Sequence, residues 1–205
     1  MLRIGWLREA RRKASYFKSF RMNIRANVRA LWKGYWTPDQ FDTQMRRSLE
    51  VGYTAAWYEG AKEMGVLPDE LTAEEIAALN AAIAQNSAHI ERFAQTIREK
   101  SQANGGKLTP LLKRSDMWVN RYHDVKNQAR LMAGADQKLK WVLGNNIDHC
   151  RSCLKQAGRV YRGSIWTKYG VRTQSPNLAC GGWNCHCDQI PTDEPVTPGR
   201  PPSIP

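Results

Sequence analysis

Along the first thirty residues the apolar positions Leu7, Ala10, Ala14, Phe17, Ile24, Val28 and Leu31 recur close to every third or fourth residue, with one basic break at Arg21. That period predicts one long basic amphipathic helix. A second helix starts at Thr37-Pro38-Asp39-Gln40, where Thr37 suits the cap, Pro38 the first helical position and Gln40 the reciprocal capping partner. It runs to about Met64, with Gly65 as its stop, and buries Phe41, Met45, Leu49, Tyr53 and Ala56 or Trp57. Thr72-Ala73-Glu74-Glu75 is a second capping box. It opens an alanine-rich helix through Ile76, Leu79, Ile83, Ile90, Phe93 and Ile97, ended by Asn104-Gly105-Gly106. Thr109-Pro110 opens a fourth, through Trp118, Tyr122, Val125, Ala129 and Met132 to about Gly134. The connections are short enough for neighbouring antiparallel hairpins.

After Asp136 the helical period stops. Lys140-Trp141-Val142-Leu143 and Gly158-Arg159-Val160-Tyr161-Arg162-Gly163 read as short strands bounded by turn residues. Beyond Ile190 the chain carries six of its ten prolines, Pro191, Pro195, Pro198, Pro201, Pro202 and Pro205. Such a stretch is extended, or is laid along a partner.

All five cysteines fall in this second region, as Cys150-x2-Cys153 and Cys180-x4-Cys185-x-Cys187. A segment of roughly 50 residues is below the length at which an apolar core alone usually stabilises a fold, so it needs a staple. Thiolates two residues apart on a turn can fill two corners of a tetrahedral zinc while a distant pair fills the others. The odd count disfavours a disulfide framework. Cys150 and Cys153 are therefore expected ligands, joined by two of Cys180, Cys185 and Cys187. Gly181 and Gly182 permit a turn that would bring Cys180 and Cys185 onto one metal, which puts the choice between Cys180 and Cys187. His149 and His186 stand beside ligands and read more readily as surface or second-layer groups. Trp141, Trp166 and Trp183 are spaced through the region and are expected to supply much of its small core.

Together these readings give a mainly α chain: long antiparallel helices, then a small zinc-stapled α+β module and an extended Pro-rich tail. The expected boundaries are a basic helical arm over 1–36, a helical domain over 37–138, a zinc-binding module over 139–190 and the tail over 191–205.

Charge adds a partner. The net charge is +12, and residues 1–33 hold ten Lys or Arg against the single acid Glu9. An excess so placed marks an anionic partner, nucleic acid or an acidic protein surface. The expected contacts are Arg8, Arg11, Arg12, Lys13, Lys18, Arg21, Arg25 and Arg29, with Trp6, Tyr16, Phe17, Trp32, Tyr35 and Trp36 interleaved for stacking. No apolar run is long enough to span a membrane, and charges interrupt any secretory signal, so the expectation is folding in a reducing cytoplasm. A thiolate-rich closed site leaves no open position for catalysis, and no metalloprotease, phosphate-loop or nucleophile motif is present, so no enzyme activity and no small-molecule substrate are expected.

The second half also resembles a known family. Arg130-Leu131-Met132-Ala133-Gly134-Ala135-Asp136 closes a helix, Lys140-Trp141-Val142-Leu143 follows as a strand, then Asp148-His149-Cys150-Arg151-Ser152-Cys153, Gly158-Arg159-Val160-Tyr161 and Cys185-His186-Cys187-Asp188-Gln189-Ile190-Pro191. This order over residues 109–191 resembles the minor head or head-morphogenesis proteins of tailed bacteriophages, typified by the F protein of phage Mu. That family commonly has His-Pro-x-Cys-x-Cys in the second half, where this chain has Cys180-Gly181-Gly182-Trp183-Asn184-Cys185. The resemblance implies a non-enzymatic minor capsid protein needed in head assembly, associated with the portal, other capsid proteins or packaged DNA. It would belong to the virion, at the capsid interior or portal vertex, after assembly in the host cytoplasm. Some relatives add a C-terminal toxin, for which the Pro-rich stretch leaves no room here. The rival expectation is a zinc-ribbon nucleic-acid-binding regulator whose cysteine module itself touches the nucleic acid. Residues 141–190 carry Arg151, Lys155, Arg159, Arg162, Lys168 and Arg172 against Asp148 and Asp188, a sparser positive charge than the arm's.

Overall fold

A computed structural model describes residues 2–145, 148–182 and 185–204, with the side chains of residues 2–15 outside the description. In order, the elements are α1 (Leu2–Trp32), α2 (Pro38–Glu63), a 3-10 turn (Pro68–Glu70), α3 (Ala73–Ser87), α4 (Ile90–Glu99), α5 (Leu108–Ala133), β1 (Lys138–Val142), α6 (Arg151–Gln156), β2 (Val160–Arg162), α7 (Gly163–Lys168) and β3 (Asp188–Pro191). Among the described residues no helix is long and apolar enough to cross a membrane. The fold is mainly helical, with one small β-containing module.

Both capping boxes form. Thr37 N–H donates to Gln40 Oε1 while Gln40 N–H donates to Thr37 Oγ1, and Thr72 and Glu75 make the same exchange. The predicted third helix is broken at residues 88–89. The Asn86 carbonyl, which an unbroken helix would offer to the Ile90 amide, accepts instead from Trp118 Nε1 at 3.0 Å. A tertiary contact thus overrides a continuous apolar period.

The chain divides into two compact units, one of Met1–Ala55 with Ala78–Tyr122 and the other of Ala56–Ala77 with His123–Pro205. These bounds differ from the expected ones at 37, 139 and 191, because α2 and α5 each contribute residues to both units. In the first unit Ile24, Val28, Phe41, Met45, Leu49, Tyr53 and Phe93 are buried, and Phe41, Phe93 and Trp118 meet ring to ring. Phe20 is also buried, with its ring against Tyr53 and Tyr122, so the stripe of α1 takes a residue that the period passed over. Asn27 bonds Ser48 and Arg25 bonds Asp116, which sets α1 antiparallel to both α2 and α5. The α2 and α5 pair is parallel, with Tyr53 donating to the Trp118 carbonyl, since α3 and α4 carry the chain back between them. The expectation of antiparallel neighbours throughout is corrected for that pair.

In the second unit α2 and α5 approach at Gly60, where an added Cβ would lie 2.1 Å from the Lys126 carbonyl oxygen. Gly60→Ala is expected to lower stability by about 1 to 3 kcal/mol, because overpacked backbone must move apart. A denaturant midpoint unchanged from that of the parent would refute the close approach. The sheet has the order β2-β1-β3 with both pairings antiparallel. Leu139, Trp141, Tyr161, Trp166, Val171 and Leu178 form its core with Met64, Leu131, Cys153, Cys185 and Cys187. Trp166 packs edge-on to Tyr161 and donates to the Leu139 carbonyl. Trp141 and Trp166 are buried as expected, while Trp183 lies outside the described residues.

The Pro-rich segment is laid on its own module. Thr192 N–H donates to the Lys138 carbonyl, Thr197 N–H to the Val160 carbonyl and Gln156 Nε2 to the Pro202 carbonyl, while Pro201 is buried. The stretch expected to be extended or laid along a partner thus lies on its own module: its prolines leave few donors, and those of Thr192 and Thr197 find acceptors on β1 and β2.

Candidate metal centre

The module gathers its sulfurs through three backbone pieces. Cys150 takes the N-cap position of α6 with extended φ and ψ, so the helix begins directly after it and Cys153 falls in the first turn, facing inward. The Ser152 hydroxyl accepts the Ala179 N–H and draws the stretch before Cys180 towards α6. Cys185 and Cys187 arrive on the chain leading into β3, both buried. The sulfurs of Cys153, Cys185 and Cys187 all lie within 4.8 Å of one another, which is close enough for one metal ion to bridge them. Cys153 and Cys185 are 3.7 Å apart, sulfur to sulfur.

Expected ligands are thus partly regrouped. The three-sulfur group contains Cys187 as well as Cys185: residues two apart in an extended segment share a face, and here both cysteines are buried with the exposed His186 between them. Cys150 and Cys180 are half-buried and lie outside the three-sulfur group. His149 Nδ1 stands 3.8 Å from the Cys187 sulfur, while His186 is exposed.

The electrostatics of the thiols are split, with Cys187 and Cys150 held low and Cys153 and Cys180 held high. Thiol hydrogen bonds from Cys153 and then Cys185 outweigh burial and hold the Cys187 thiol down at about 3, with help from the Gly144 N–H. Gly144 comes close enough for this because an added Cβ there would meet the His186 carbonyl oxygen at 2.2 Å. Burial pushes the Cys150 thiol up, yet the Cys153 N–H and thiol, followed by the Cys180 thiol and N–H, leave it lowered. Cys153 is raised, chiefly through its hydrogen bonds with Cys185 and Cys187. Burial pushes Cys180 up to about 11. Backbone N–H groups aimed at sulfur favour thiolate.

Behind the sulfurs lies an ion network that sequence reasoning missed. The Arg130 side chain, 7% exposed, pairs with Glu63 on α2 and Asp188 on β3, and donates to the Gln189 carbonyl at 3.1 Å. Lys126 pairs with the other Glu63 oxygen at 2.8 Å. Coulombic attraction to Arg130 and then Lys126 outweighs burial and holds the Glu63 carboxyl below its usual range. Asp188 immediately follows Cys187, so the network anchors the sulfur-bearing strand to two helices. The available signal was an arginine next to Ala129 on the apolar stripe of α5.

Of the expected polyanion contacts on α1, the side chains of Arg8, Arg11, Arg12 and Lys13 lie outside the described residues, as does that of Trp6. Lys18, Arg21 and Arg29 are exposed. Arg25 is engaged in a bidentate pair with Asp116, both contacts to Nη2 at 2.9 Å. Tyr16 and Tyr35 are exposed, with Lys33 over the Tyr35 ring, whereas Phe17 packs on Tyr122.

No family model, curated protein or solved structure matches this chain.

Proposed function

We propose that this chain is a non-enzymatic structural protein in which a zinc ion staples the C-terminal module, and that it acts within a larger assembly as a minor capsid, head-morphogenesis protein. The observation that carries the zinc is the sulfur group of Cys153, Cys185 and Cys187. A tetrahedron with zinc–sulfur bonds near 2.3 Å has edges of about 3.8 Å. The Cys153–Cys185 separation of 3.7 Å fits such an edge. Cys150 is the fourth ligand by its Cys-x-x-Cys spacing and its lowered thiol. Zinc would supply a cross-link here, and the protein's own contribution is to hold the thiolates together with N–H donors. What supports the capsid role is the order of motifs over residues 109–191 and the positive charge gathered on α1. Portal or capsid protein, or packaged DNA, would be the partner.

A second reading, a zinc-ribbon nucleic-acid-binding regulator, draws more directly on the geometry, since the sulfur group is the centre the structure assembles. Arg151, Lys155, Arg162 and Lys168 are exposed on that same module. Duplex DNA binding measured against salt separates the two. Each phosphate that is no longer neutralised should reduce the logarithmic salt slope by about 0.9. Neutralising Lys18, Arg21 and Arg29 should flatten the slope under the first reading, and neutralising the four module residues under the second. Arg25→Gln should lower stability and leave the slope alone. A slope unmoved by both sets overturns polyanion binding. Zinc analysis of purified particles, with the chain located in a particle reconstruction, tests the capsid role itself.

A further inference from the structure

The segment after β3 is held as a bound peptide is held. Lys138 Nζ donates to the carbonyls of Asp193 and Glu194, and Lys140 pairs with the Glu194 carboxylate. Thr197 then exchanges two hydrogen bonds with Val160, its N–H donating to the Val160 carbonyl at 2.8 Å and its hydroxyl accepting the Val160 N–H at 2.9 Å. Val160 belongs to β2, which is the outer strand of the sheet. Gln156 reaches the Pro202 carbonyl at 2.6 Å, and Ile204 packs on the edge of the core.

These anchors combine two modes of peptide recognition, main-chain bonding to an open strand and seating of a proline-rich extended stretch. A cavity of about 730 Å3 lies between Lys155, Tyr169 and Gly170 on one side and Arg200 to Ile204 on the other, so the segment bridges space there.

We propose that the groove along Lys138, Lys140, Gln156 and Val160 is an exchangeable peptide site, occupied within one copy by its own Pro-rich segment and able to take the same segment from a second copy. The occupant follows from complementarity: the two lysines meet the acidic Asp193-Glu194 step, and the spacing from Thr192 to Thr197 to Pro202 matches β1, β2 and α6 in turn. Exchange between copies, with Thr192 and Asp193 as the hinge after β3, remakes the contacts from Glu194 to Ile204, so it costs little interaction and is governed by concentration. Copies of a structural protein could be tied together in this way. The inference stands apart from the zinc reading, because its readouts do not depend on metal.

The test uses the full chain and a labelled peptide spanning residues 192–205. Thr197→Ala with Ile204→Asp weakens the segment and leaves the groove intact. The peptide should bind this variant at least tenfold more tightly than it binds the parent, whose own segment competes at a high effective concentration. Lys140→Glu, introduced into that variant, should weaken binding, and a peptide carrying Glu194→Lys should restore it. Copies labelled with two dyes should show energy transfer that rises with concentration and is lost in the double variant. Equal affinity for parent and variant, no binding to a variant that keeps its circular dichroism, or no rescue by the charge swap would each overturn the groove. Peptide binding without energy transfer between copies would overturn the exchange.

Discussion

Removing zinc with a strong chelator, or replacing Cys153 by serine, is expected to unfold the sheet and its flanking loops while the unit built from Met1–Ala55 and Ala78–Tyr122 keeps its helical circular dichroism. The effect should be the largest that any single change produces, since structural zinc contributes on the order of 10 kcal/mol to small modules. The strands are only five, three and four residues long, and their core includes three of the sulfurs themselves. Hydrogen exchange at Leu139, Trp141 and Val160 reads the outcome. Cys180→Ser should retain one zinc per chain, because the proposed site is complete with Cys150, Cys153, Cys185 and Cys187. Continued protection of those three amides in metal-free protein would sink the staple.

Arg130→Met should cost about 3 to 5 kcal/mol, the usual penalty for leaving buried charge without its partner. Glu63 would then be left with Lys126 alone among these cations, and Asp188 would lose its guanidinium. The pH dependence supplies a sharper signature. In the parent, the Glu63 carboxyl is held low by Arg130 and Lys126 against burial, so its stabilisation is present above the unfolded pKa and is lost as pH falls through the folded one. His123 acts in the same direction. Burial, then Lys126 and His186, push it down to about 4 against an ordinary 6.5, so the unfolded chain takes up a proton first and stability falls across that window. Without Arg130, burial of Glu63 dominates and its carboxyl should rise, which shrinks or reverses its share of the acid loss while that of His123 persists. Urea midpoints between pH 4 and 7 for parent and variant check this. A variant curve parallel to the parent's would show that Arg130 does not hold Glu63 ionised.

Where local chemistry decides, the residues announced the structure. Phe41, Met45, Leu49 and Tyr53 keep one face of α2 apolar over three turns, and Thr37 and Thr72 have the partners that a cap requires. The helices therefore began within about a residue of their expected starts. Where a distant group decides, the sequence was silent. Nothing near Asn86 says that an indole more than thirty residues away will take its carbonyl. Cys187, by contrast, joins Cys185 because residues two apart in an extended segment share a face, a period that was there to be read. The short helices α6 and α7 went unread because six residues carry too little period to declare themselves. Arg130 was visible as a residue but not as a junction, because both of its carboxylate partners lie far along the chain.

The unit that carries the sulfurs is assembled from two stretches of chain, Ala56–Ala77 and His123–Pro205. During synthesis, Met64 therefore leaves the ribosome long before Leu131, Trp141 and the cysteines that complete its surroundings. At usual elongation speeds that interval is on the order of ten seconds. Through it, the nascent α2 exposes an apolar face with nothing to cover it, so a chaperone that shields this helix should raise the yield of folded protein. Supplying residues 139–190 as an isolated fragment should fail for the complementary reason, since Met64, Glu63 and Arg130 would all be missing.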